Sequence, residues 1–88
     1  MKLIIAIVRD TDSDPVSHAL TSNQFRVTGV ASTGGFLRRG KTTLLVGVED
    51  DQVEQALQLI RAALSPAAEA AERRAVIFVL KVDHFDHF

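Results

Sequence analysis

The chain contains no cysteine, tyrosine or tryptophan. Without thiols, disulfide scaffolds, thiol catalysis and cysteine-ligated zinc all drop out. Neither sign of charge is in excess: ten Lys and Arg stand against eleven Asp and Glu, a formal net charge of −1. A chain so balanced has no basic surplus with which to hold a nucleic acid polymer by counterion release. Long hydrophobic runs are missing too. The longest, residues 3–8 (LIIAIV), is far short of the roughly 20 residues that span a bilayer, so no membrane insertion is expected. Lys2 is the one charged side chain before that run and no small-residue cleavage site follows, unlike a secretory signal. A cytoplasmic location is the expectation. With two prolines and 47% hydrophobic residues, the composition is that of a packed globule rather than a disordered or collagen-like chain.

What is present fits one domain, residues 1–88. So short a chain, with neither disulfides nor an evident metal site, is expected to gain stability by oligomerising. Residues 2–8 (KLIIAIV) read as a strand buried on both faces. The run Asp10-Thr11-Asp12-Ser13-Asp14-Pro15 supplies helix-capping side chains with Pro at a plausible first helical position. Val16, Ala19 and Leu20 then share a helical face, and the helix stops at Asn23 after Ser22. Residues 25–31 (FRVTGVA) and 42–48 (TTLLVGV) are strands joined as a hairpin by a glycine-punctuated loop. Glu49, Asp50 and Asp51 put negative charge at the start of a second helix. Its stripe is Val53, Ala56, Leu57, Ile60 and Leu64, interrupted by Ser65-Pro66. Residues 75–82 (AVIFVLKV) form a last strand. The order β-α-β-β-α-β predicts an α+β, ferredoxin-like sandwich with a four-stranded antiparallel sheet and both helices on one face. The other face carries few charges, which predicts a partner subunit against it.

Gly35-x-x-x-x-Gly40-Lys41-Thr42 matches the nucleotide-triphosphate loop pattern by letter. That loop works only where it opens a helix whose N–H groups hold phosphate. Here a strand follows and the interior is Phe-Leu-Arg-Arg, so the match is coincidental. What remains is Gly34 and Gly35 as an anion-binding nest flanked by Arg26, Arg38, Arg39 and Lys41, with Phe36 as a stacking face. From composition alone a solvated hairpin tip, with Phe36 tucked into a neighbour, reads somewhat better. Arg26 and Thr28 share one face of their strand, either as a phosphate-facing pair or as an exposed polar face. Gly29 and Gly47 inside strands mark a bulge or a close approach. His84, Asp86 and His87 have ligand-type side chains at close spacing, but a chain end is a poor frame for a metal. No nucleophile motif is present, and no catalysis is expected.

The start MKLIIAIV with Asp10, Asp12 and Ser13 resembles the bacterial cyclic-di-AMP receptors, PII-like signal-transduction proteins. The likeness continues through Asn23, Phe25-Arg26-Val27-Thr28, Ala31-Ser32-Thr33-Gly34-Gly35-Phe36-Leu37-Arg38, Gly47-Val48-Glu49-Asp50-Asp51 and Val76-Ile77-Phe78-Val79-Leu80 to the final Phe85-x-x-Phe88. It implies a non-enzymatic homotrimer of ferredoxin-like subunits that binds a nucleotide second messenger, cyclic-di-AMP first, between subunits and signals to a downstream protein. Carried over, Arg26 and Thr28 would meet phosphate and ribose. Gly35, Phe36, Leu37 and Gly47 would frame the nucleotide, with Phe36 and Phe78 near the adenines; Lys41 beside Arg26 and Arg38 would favour a doubly charged phosphate ligand. Where the family pattern has Asn, Asn and Gln, this chain has Gln24, Lys41 and His87. A long glycine-rich insertion in the family is reduced here to residues 65–74, which implies a more open site. The other readings are a metal-responsive or ligand-diverged trimer acting as an interaction module, with His84, Asp86 and His87 as the metal ligands, and an RNA-binding domain, for which the strands carry too few aromatics.

Overall fold

The structure is a computed structural model and describes residues 1–30, 40–66, 74–84 and 86. The elements follow the expected order: β1 (Lys2–Arg9), α1 (Asp10–Ser22), β2 (Arg26–Val30), β3 (Lys41–Val48), a 3-10 turn (Asp50–Gln52), α2 (Val53–Ala63) and β4 (Ala75–Lys81). They build one antiparallel sheet in the order β2-β3-β1-β4, the ferredoxin-like plan. Its two inner strands are buried in alternation: β1, expected to be buried on both faces, buries Ile4, Ala6 and Val8 and leaves Leu3, Ile5 and Ile7 half-buried on the other side. Ile4, Ala6 and Val8 of β1 and Leu44, Val46 and Val48 of β3 are buried against Val16 and Leu20 of α1 and Ala56 and Ile60 of α2. Val53, Leu57 and Leu64, the rest of the predicted stripe, pack at its margin.

Two expectations need correction. Helix α1 starts at Asp10, and Pro15 lies inside it rather than at its first position. Among the described residues no side chain caps its N-terminus. The acidic residues read as caps are engaged elsewhere: Asp10 accepts from Thr42 and Asp12 from Ser65. Long-range bonds have displaced the local ones, and the helix has taken up an extra turn. Second, neither Gly29 nor Gly47 marks a bulge, since β2 and β3 pair without interruption from Arg26↔Gly47 to Val30↔Thr43.

The end of α1 was legible. Asn23 is the cap, the Gln24 amide donates to the Thr21 carbonyl (3.0 Å) and the Phe25 amide to the Leu20 carbonyl (3.0 Å), the two bonds of a Schellman motif. The motif demands a left-handed residue after the cap, and Gln24 fills it with φ 69°. Phe25 is thereby turned into the core.

Because cross-strand partners share a face, register places three rows on the side away from the helices: Arg26–Gly47–Leu3–Leu80, Thr28–Leu45–Ile5–Phe78 and Val30–Thr43–Ile7–Val76. This face is largely apolar and no described element covers it, with Phe78 50% and Leu80 46% exposed.

Candidate functional site

A groove of about 890 Å³ opens where this uncovered face meets the end of the sheet. Its floor is Leu3, Leu45 and Gly47, and Arg26 and Thr28 stand on its β2 side. Gln24 and Gln52 approach from the ends of α1 and of the 3-10 turn. Each member is there for a local reason. Arg26 and Thr28 are two apart on a strand and therefore point together. Gly47 lies between Arg26 and Leu3 in its row, and a methyl group built there would meet no atom within 4 Å. The missing side chain thus leaves the floor open rather than avoiding a clash. The Gln52 carboxamide oxygen accepts from the Glu49 amide (2.9 Å), closing a capping box that fixes the turn.

The electrostatics favour an anion. Arg26 makes no hydrogen bond or ion pair among the described residues. Lys2 and the Met1 ammonium also line the groove; the ammonium lies 3.0 Å from Asp50. Its hydrogen bond holds the Asp50 carboxyl below the usual range, with smaller help from Lys2 and Lys81. A guanidinium without a partner, a strand hydroxyl and two carboxamides around an apolar floor can hold a phosphate and a flat polar ring.

The groove gathers Arg26, Thr28 and Gly47 out of the residues singled out in the sequence. The pair is exposed, not buried. Phe78 shares the face but stands three strands from Thr28 in the same row, about 14 Å at ordinary strand spacing. Lys41 is not beside Arg26. It pairs with Arg9 at the other end of β3, six residues from Gly47, or about 20 Å along the strand. Gly35, Phe36, Leu37 and His87, with the glycine nest and Arg38, lie outside the described residues. The His84 ring nitrogen lies 2.9 Å from Asp86, and no group of three metal-ligating side chains forms among the described residues.

Sequence reasoning missed Gln52, although the spacing Glu49-x-x-Gln52 is a capping-box signature that fixes its position. It also missed Leu3 and Leu45, whose place follows only from strand order.

The fold and this groove define a small ferredoxin-like domain with a pocket suited to a nucleotide. The chain belongs to the cyclic-di-AMP receptor family, whose family model matches residues 1–70. It is also similar to a crystal structure of a functionally unknown protein from Pediococcus pentosaceus ATCC 25745, at 35% identity and a TM-score of 0.81, over 99% of this chain and 96% of that one. No helix among the described residues is long and apolar enough to cross a membrane.

Proposed function

We propose that this chain is a non-enzymatic signal-transduction receptor that binds cyclic-di-AMP in a groove completed by a neighbouring copy within a homotrimer. The observation that carries this reading is the convergence of Arg26, Thr28 and Gly47 on one groove in a chain of the cyclic-di-AMP receptor family. Arg26 supplies the charge for a phosphate, Thr28 a hydroxyl for phosphate or ribose, and Gly47 the room for a ring.

A neighbouring copy accounts for what one chain leaves open. The uncovered face bears Phe78, Leu80 and Val30, all more than 40% exposed, as expected of a surface that meets another subunit. Strands β2 and β4 are both sheet edges. A second copy set against β2 would bring its own Phe78 toward the first copy's Arg26, a distance that one chain cannot close.

Titration calorimetry with cyclic-di-AMP at low salt tests the reading. The expected result is saturable binding that weakens as salt is added and falls at least tenfold in Arg26→Ala, since a hydrogen bond to a charged group is worth about 1.5–3 kcal/mol. Sedimentation should give three times the chain mass. Absence of heat with cyclic-di-AMP, or a monomer at binding concentrations, overturns it.

A further inference from the structure

The corner where β1 runs into α1 is unlike any other place among the described residues. Asp12 is the one buried charged residue among those described, 2% exposed, and all its oxygens are engaged. One accepts from the Ser65 hydroxyl (2.6 Å) and amide (3.2 Å), and the other from the Arg9 Nε (3.1 Å). Arg9 reaches past it to the Ser65 carbonyl (2.6 Å) and hydroxyl (3.1 Å). The next residue, Asp10, turns the other way: its carboxylate accepts from the Thr42 hydroxyl and its amide donates to the Gly40 carbonyl (2.9 Å). Arg9, Asp10 and Asp12, three of four successive positions, therefore tie down the beginning of β3 and the chain just beyond α2.

These elements also frame the groove at their opposite ends. Strand β1 runs from Leu3 in the groove to Arg9 in the corner, β3 from Gly47 to Lys41, and the helical segment from Gln52 to Ser65. Fixing one end of three rods fixes how far apart the other ends stand. Strand β4 is paired to β1, but none of the corner's bonds among the described residues reaches it. Loss of any one partner leaves Asp12 buried with unmet bonding capacity, which is costly, so the corner tends to be wholly made or wholly released.

We propose that the Arg9–Asp10–Asp12 corner is a remote latch that sets the spacing of β1, β3 and α2 at the groove, so that release of the latch and occupancy of the groove oppose one another. The part concerning occupancy rests on the function proposed above; the mechanical part does not. Coupling of this kind is reciprocal: a ligand that requires the set spacing tightens the latch, and a broken latch weakens the ligand.

Amide hydrogen exchange on the ligand-free full chain tests the mechanical part. In Asp12→Asn the amides of Gly47 and Gln52, far from the substitution, should speed up at least threefold more than that of Val79 in β4. Equal acceleration of all three signals general loosening and overturns the proposal, as does no change at Gly47 and Gln52. Should Asp12→Asn fail to fold, Thr42→Val, which removes one exposed bond, bears the same comparison. In the second arm cyclic-di-AMP is added to the unsubstituted protein. Slower exchange at Thr42 and Ser65, by at least threefold, supports the coupling, and binding that leaves both unchanged overturns it. If cyclic-di-AMP does not bind at all, the proposed function fails while the exchange comparison still decides the latch.

Discussion

The two ends of the sheet are built on opposite principles. At the corner the charged and polar side chains partner one another: Arg9, Asp12 and Ser65 satisfy each other's bonds, and Asp10 takes Thr42. At the groove, Arg26 has no partner among the described residues and Gly47 leaves its place in the row vacant. Both ends hold an arginine on a strand beside polar residues, and residue type alone does not tell them apart. The distinction is whether the chain itself supplies the counter-charge. Where it does, the charge holds the fold together; where it does not, the charge is available to something else.

The largest expected effect comes from breaking that symmetry at the satisfied end. Asp12→Ala takes a buried carboxylate from the Arg9 guanidinium and from the Ser65 hydroxyl and amide, and should cost about 3 kcal/mol in urea unfolding. Arg26→Ala, an exposed site with no bond to lose, should stay within about 0.5 kcal/mol. Equal losses would mean that the two arginines do the same work and that the contrast is empty.

Acid should expose the same difference. Burial pushes the Asp12 carboxyl up, but the Ser65 hydroxyl and amide and the Arg9 guanidinium outweigh it, so the net shift is below the ordinary 3.8. A folded value below the unfolded one gives stability that is complete above about pH 5 and is lost as pH falls through the unfolded and then the folded value. Unfolding free energies of Asp12→Asn and the unsubstituted chain should therefore converge as pH drops from 5 to 3. Parallel curves would show that Asp12 is not charged in the folded state.

Much of this contrast was hidden from the sequence for a physical reason. Periodicity gave the six main elements, the buried stripes and the largely apolar sheet face, because each depends on residues close along the chain. Arg26 and Thr28 were legible as a pair since strand geometry alone aligns them. Asp10 and Asp12 misled, because an acidic run before a helix is also what a cap looks like. Their true partners, Thr42 and Ser65, are 32 and 53 residues away. Lys41 misled in the same manner: being near the glycine loop in sequence is not being near Arg26, once β3 separates them along its whole length.

Gln24 sharpens the comparison at smaller amplitude. Its left-handed backbone (φ 69°) costs a side-chain-bearing residue about 1 kcal/mol, and glycine is the usual occupant after a helix cap. Part of the gain from Gln24→Gly is returned through the greater freedom of the unfolded chain, so the substitution should stabilise by only about 0.5 kcal/mol in thermal or urea unfolding. A loss instead would mean that the Gln24 side chain makes contacts worth more than the strain.

Gly47→Ala carries the smallest change in stability and the sharpest reading of the groove. No atom lies within 4 Å of the added methyl group, so the folded chain accepts it with less than about 0.5 kcal/mol of change. The methyl group does, however, fill the floor between Arg26 and Leu3. If a ligand seats there, its affinity falls while the melting temperature of the free protein stays put. Affinity unchanged in Gly47→Ala yet lost in Arg26→Ala would place the ligand on the β2 rim, clear of the floor, and would remove Gly47 from the site.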